Sequence, residues 1–122
     1  MHQPHILLIE DDPAVRAAAR LLLKVAGYRV SSAACTTEAV EHARLHHDLE
    51  VVISDYHLGH TENGVDAIAA VRAVRGTRLR AVLMSGDTGL LLTDVQRGLD
   101  TSIAQKPISA DALLALLPPR HS

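Results

Sequence analysis

The stretch VVISDYHLG, Val51 to Gly59, runs an apolar, β-branched-rich segment straight into a carboxylate, Asp55, and then into a polar loop. Branching at Cβ favours the pleated conformation, so 50–54 reads as a buried strand that ends on a charge. Outward from it, the apolar period alternates between strand-like and helical. HILLIE (5–10) is a short apolar run ending in acids. Asp12 followed by Pro13 then marks a helix start, with an N-cap oxygen and a proline at the first helical position. Val15, Ala18, Ala19, Leu22 and Ala26 recur at helical spacing, and Gly27 closes that run as a left-handed cap.

The rest of the chain repeats the alternation. YRVSSA (28–33) reads as a second strand, and Thr36 or Thr37 caps a second helix through about residue 47, with Val40 and Ala43 inward and His42 and His46 outward. After the strand 50–54 comes a helix from Gly64 to Arg75, whose stripe is Val65, Ile68, Ala69 and Val71. LRAVLM (79–84) is the fourth strand, 90–99 a weaker helix, and SIAQ (102–105) a short fifth strand. Ser109 caps a last helix over 110–117, stopped by Pro118 and Pro119. Five strands alternating with five helices predict one α/β domain over residues 1–122, with a doubly wound parallel sheet, because parallel neighbours need helical crossovers.

Composition narrows the function. An apolar fraction of 48% with 21% charged residues is that of an ordinary globular chain rather than a disordered one. Twelve basic residues against 14 acidic ones give no electrostatic footprint for nucleic acid or an anionic membrane. No apolar run approaches the roughly 20 residues of a membrane span, and the start lacks a basic leader, so a cytosolic location is expected. Cys35 is the single cysteine, so no internal disulfide can form.

In a parallel doubly wound sheet the ligand crevice lies at the carboxyl ends of the strands. There the sequence places Glu10, Asp11 and Asp12 after the first strand, Asp55 after the third, Ser85 after the fourth and Lys106 after the fifth. Two like charges about 4 Å apart repel by about 4 kcal/mol at an effective dielectric near 20, so such acids call for a cation between them. Hard oxygen ligands favour Mg2+, which accepts phosphate as a co-ligand. Read singly, Asp12 is a helix cap, Lys106 a solvated charge and Ser85 a turn residue; their convergence on four strand ends argues against reading them singly. Among the eight histidines, His42 and His46 stand one helical turn apart, but without a nearby Glu or Cys they read as a solvated helix face.

These segments resemble the receiver domain of bacterial two-component response regulators. ILLIEDDPAVR resembles that family's acidic-pair motif, VVISDYHLG its phosphoacceptor motif, VLMSG its Ser/Thr-small motif and AQKP its lysine-proline motif. The spacings fit as well: 44 residues from Asp11 to Asp55, 30 from Asp55 to Ser85 and 51 from Asp55 to Lys106. The resemblance implies a flavodoxin-like sheet of strand order 2-1-3-4-5 flanked by five helices. It implies Asp55 as phosphoacceptor from a phosphohistidine on a sensor kinase or phosphotransfer protein. It further implies Mg2+ held by Glu10, Asp11, Asp55 and the backbone carbonyl of His57, with Ser85, Gly86 and Lys106 on the phosphoryl group and Pro107 shaping the lysine loop. His57 and Asp87 stand where the family tunes hydrolysis. The switched surface would lie near the fourth and fifth helices, with an unnamed downstream protein as partner and a phosphorylation-dependent dimer left open.

The chain departs from the pattern in two places. Ile103 stands where the family often has an aromatic switch residue, and Leu58-Gly59 with a longer loop stands where Met-Pro is common, a feature similar to receivers of hybrid histidine kinases. A haloacid-dehalogenase-type phosphatase would put its nucleophile after strand one, where Glu10 stands, and would leave Asp55 without a role. A flavodoxin-like carrier is opposed by the three acids of the first loop and the two aromatics, Tyr28 and Tyr56. A non-phosphorylated docking module of the same fold remains the alternative, although the acidic pair, Asp55 and Lys106 that it would lack are all present. The expected role is a phosphoacceptor in signalling and not a turnover enzyme.

Overall fold

A computed structural model describes residues 3–76, 78–86, 101–106 and 109–119. The sequence-expected helix over 90–99, and with it Asp87 and Pro107, lies outside the described residues. In chain order the elements are β1 (His5–Ile9), α1 (Pro13–Val25), β2 (Arg29–Ala33), α2 (Thr36–Leu45), β3 (Leu49–Asp55), β4 (His57–Leu58), β5 (Glu62–Asn63), α3 (Gly64–Arg75), β6 (Arg80–Ser85), β7 (Thr101–Gln105) and α4 (Ala110–Ala115). Strands β4 and β5 form a two-residue antiparallel hairpin of their own. The five long strands form a parallel sheet in the order β2-β1-β3-β6-β7, which is 2-1-3-4-5 once the hairpin is set aside.

Both faces of the sheet are covered, and its central strands are therefore apolar throughout rather than alternating. Leu7, Ile9 and Val52 pack with Ala39, Ala43, Ile68 and Val71 on one face. Ile6, Leu8, Val51, Ile53 and Val82 pack with Leu23, Tyr28 and Leu113 on the other. The Tyr28 hydroxyl donates to the Pro118 carbonyl at 2.8 Å, which ties the segment after α4 to the start of β2.

Caps explain most helix ends. Asp12 Oδ1 accepts from the amides of Ala14 and Val15, as expected, and Ser109 Oγ accepts from Ala112. Gly27, at φ +104°, allows the amides of Gly27 and Tyr28 to turn back onto the carbonyls of Lys24 and Leu23. Helix α2 corrects the sequence reading: neither threonine caps it. Cys35 holds the N-cap position without a side-chain bond, and the nearby amides of Ala34 and Thr36 go to the carboxylates of Glu38 and Glu62. Acids here do the work of a hydroxyl cap, because a carboxylate at a helix start meets both the unpaired amides and the dipole.

Two stripes also differ from expectation. Ala69 is exposed, and Ala67 and Arg72 are buried in its stead; Arg72 donates through Nε and Nη2 to the Leu79 carbonyl at 3.1 and 2.8 Å. In α1 the face was read correctly but is not filled. Val15 is 48% exposed because Val15, Ala18, Ala19 and Leu22 border a cleft of about 420 Å3 against Leu8, Met84 and Leu113.

The core assignment makes a direct prediction. Replacing fully buried Ile53 by Ala is expected to cost about 2–5 kcal/mol, from lost transfer energy plus a cavity. Leu21→Ala, at a residue 64% exposed, should stay within about 0.5 kcal/mol of the parent. Urea midpoints of the two variants check the contrast, and equal midpoints would contradict the assignment.

Candidate functional site

Parallel strands end together, and the ladder here extends one bond past three of them. The Glu10 amide donates to Ala33 O at 2.9 Å, the Tyr56 amide to Met84 O at 2.8 Å and the Lys106 amide to Ser85 O at 2.8 Å. The backbones that carry the charged residues are therefore held by the sheet itself and not by loose loops. This arrangement brings ligand oxygens of Glu10, Asp11 and Asp55 within 4.8 Å of one another. Lys106 reaches across from the end of β7, its Nζ 2.7 Å from Asp55 Oδ1. The Asp55 side chain is 11% exposed, enough for access from one side only.

Neighbouring groups fix the acids. Gly59 donates its amide to Asp11 Oδ2 at 3.0 Å, and the Asp12 amide donates to Glu10 Oε2 at 3.2 Å. Arg16 Nη1 donates to the Glu10 carbonyl at 2.9 Å, which clamps the first turn of α1 onto the acidic loop. Ser54 Oγ donates to the Asp55 carbonyl at 2.9 Å. Ser85 is buried at the end of β6, and Gly86 follows it at the surface.

Of the remaining expected positions, His57 is exposed in β4 with its ring edge-on to Tyr56, and Ile103 is half-buried in β7 against the core. Arg16, Ser54 and Gly59 carried no signal in the sequence, because each acts through one bond to a neighbouring backbone or carboxylate rather than through a motif.

Gly64 is the tightest point of the site. A Cβ there would lie 2.4 Å from the Asp55 carbonyl oxygen, 2.6 Å from Leu83 Cδ1 and 2.9 Å from Ser54 Oγ. The Gly64 amide donates to Tyr56 O at 2.7 Å, so α3 begins pressed against the backbone of the Asp55 segment. The carbonyl cannot give way without moving Asp55. Gly64→Ala is therefore expected to destabilise the chain by about 1–3 kcal/mol or more, as overpacking does, and a parent-like urea midpoint would show that the segment yields.

Electrostatics show strain within the acidic group. Burial, then the hydrogen bond to Asp11 and the charge of Asp55, push the Glu10 carboxyl from 4.5 up to about 7, against the opposing pull of the Asp12 amide and Lys106. Asp11 moves the other way, held down chiefly by that same hydrogen bond. Glu10 thus keeps part of its proton near neutral pH, and a bound cation would take its place. The donor set is all hard oxygen, and its residual negative charge fits a small divalent ion such as Mg2+.

A pH profile follows from the sign of that shift. With its folded value raised, Glu10 contributes stability that is fully present below about 4.5 and is lost as pH rises through about 7. In metal-free buffer, Glu10→Gln should flatten the fall in urea midpoint between about pH 5 and about pH 8, since glutamine cannot ionise. Parallel profiles for the two proteins would contradict the assignment.

Comparison with known proteins identifies the family and the fold. The family model described as response regulator receiver domain matches residues 6–118. The C4-dicarboxylate transport transcriptional regulatory protein DctD of Rhizobium meliloti is 35% identical over 116 residues, covering 91% of this chain. The chain spans only 24% of that regulator's length. Among solved structures, the chemotaxis protein CheY4 of Vibrio cholerae superposes with a TM-score of 0.83 at 24% identity, over 93% of this chain and 95% of its own. The receiver domain of sensor histidine kinase PA1611 from Pseudomonas aeruginosa, with a magnesium ion coordinated in its active site cleft, gives 0.78 at 24% identity over 94% of each chain. At these identities the two structures speak for the fold alone.

Proposed function

From the premise that this chain belongs to the response regulator receiver family of two-component signalling, we propose that Asp55 is its phosphoacceptor. The observation that carries the reading is the position of Asp55 at the end of β3, 2.7 Å from Lys106 Nζ and within one ligand-sized cluster with Glu10 and Asp11. The phosphodonor is a phosphohistidine on a sensor kinase or phosphotransfer protein, and the site of action is the cytoplasm. Asp55 attacks phosphorus through a carboxylate oxygen, an O–P bond forms, the P–N bond breaks, and the electron pair returns to the donor imidazole.

Phosphoryl transfer depends mostly on positioning and on neutralising charge at the equatorial oxygens. Lys106 holds Asp55 Oδ1 before transfer and then follows the negative charge onto the phosphoryl group. Ser85 and the Gly86 amide supply hydrogen bonds to that group from the end of β6. Glu10, Asp11, Asp55 and the His57 carbonyl hold Mg2+, which supplies the remaining neutralising charge when bound. His57 and Asp87, two residues beyond Asp55 and Ser85 in the sequence, tune the hydrolysis of the acyl phosphate. Pro107 follows Lys106 in the sequence as the second residue of the lysine-proline motif.

A phosphoryl group adds nearly two negative charges at the sheet edge, so it favours whatever arrangement of the loops after β6 and β7 brings Ser85 and Lys106 onto it. That shift is the signal to a downstream protein. Ile103 carries no ring to swing, so the displacement of Ser85 and its loop takes the part an aromatic reporter plays elsewhere.

Intact-protein mass after incubation with acetyl phosphate tests the reading. With Mg2+ the wild-type chain should gain one phosphoryl group. EDTA should suppress the gain and Asp55→Asn should abolish it. A folded, Mg2+-supplied wild type that gains nothing would overturn the reading and leave a docking module of the same fold.

A further inference from the structure

The amino end of the sheet, away from the acidic cluster, gathers a second set of ligating side chains. His5 opens β1 and is 3% exposed, His46 caps the carboxyl end of α2, and Asp48 precedes β3. One ligand atom from each lies within 4.8 Å of the other two. Five residues of extended chain separate His5 from Glu10, roughly 16 Å, so the two clusters do not share an ion. We propose that His5, His46 and Asp48 form a second metal site, selective for a zinc-like divalent transition metal.

The donor set makes the distinction. Two imidazoles and one carboxylate suit Zn2+, with a fourth position left to water, whereas Mg2+ prefers oxygen alone. His5 Nδ1 and Asp48 Oδ1 are 2.9 Å apart. Two donors on a tetrahedral ion at about 2.0–2.1 Å stand roughly 3.3 Å from each other, so this pair needs to open by only a few tenths of an ångström. The other ring nitrogen of His5 meets Ser31 Oγ at 2.8 Å, the kind of outer bond that fixes a ligating ring. Arg29 pairs with Asp48 Oδ2 and leaves Oδ1 on the side of the histidines. Its positive charge works against a cation, which places the affinity below that of a closed structural zinc site.

When a metal takes the position between His5 and Asp48, the proton that bridges them from Nδ1 moves to the ring nitrogen that faces Ser31. His42, one turn before His46 and stacked on it at 5.7 Å, has a buried Nδ1 with no hydrogen-bond partner. A polar atom left unmet beside the cluster is costly unless something else completes the group.

The test uses the untagged chain, stripped with EDTA and dialysed, then titrated with Zn2+ by calorimetry in the presence of saturating Mg2+. One equivalent of Zn2+ should bind and raise the melting temperature. His46→Gln and Asp48→Asn should each weaken it by more than about tenfold, and Ser31→Ala, which removes an outer partner, by about tenfold. Asp11→Asn should leave Zn2+ binding unchanged. The proposal is overturned if the wild type takes up no Zn2+. It is equally overturned if Mg2+ competes, if Asp11→Asn abolishes binding, or if His46→Gln and Asp48→Asn, folded by circular dichroism, bind as the parent does.

Discussion

Parallel pairing is the constraint from which the rest descends. When every long strand points the same way, whatever residue follows each strand is delivered to one edge, whether or not the side chains attract. Here that delivery forces Glu10, Asp11 and Asp55 together at the cost of mutual repulsion, and the price appears as a proton held on Glu10 near neutral pH. Lys106 relieves part of that repulsion from the end of β7. The ladder bonds that run past β1, β3 and β7 make the arrangement stiff, so the charges cannot separate by fraying. A group under such tension is eased by a cation in its midst, and a fold stabilised by aliphatic packing thus gathers its charges at one rim.

The architecture was legible because apolar period and punctuation agreed at almost every element. Five β-rich runs, a capping Asp before Pro13 and a Gly after α1 sufficed for the parallel α/β architecture and most helix bounds, while the strand order came with the family resemblance. The errors have physical causes. The threonines near the start of α2 are good caps in isolation, but Cys35 takes the N-cap position, and the amides of Ala34 and Thr36 beside it are met by Glu38 and Glu62. Ala69 was placed inward on spacing alone, where Arg72 takes the buried position because its guanidinium finds the Leu79 carbonyl. Spacing records which side of a helix a residue occupies and not whether a polar head has a partner there.

At the site, the charged residues were legible and their supports were not. Asp55, Lys106 and the acidic pair announce themselves as charges at strand ends. Arg16, Ser54 and Gly59 act through single bonds to backbone or carboxylate, for which no local pattern exists. The histidines show the same limit from the other direction. His42 and His46 were visible as a pair one turn apart, yet His5 and Asp48 come from β1 and the turn before β3, and only the closed fold sets them beside that pair. His42 and His46 are half-buried and stacked, not a freely solvated face.

The bond from the Gly64 amide to the Tyr56 carbonyl closes residues 57–63 into a loop whose two ends are pinned to each other. Two bonds leave that loop, from the Gly59 amide to Asp11 Oδ2 and from the Thr36 amide to Glu62, so a change of loop length, cheap in itself at about 0.6 kcal/mol per doubling, is felt first at the acidic pair and at the start of α2 rather than at β3. Asp55 is thus held at the neck, while the loop beyond it bears on the acidic pair through Gly59.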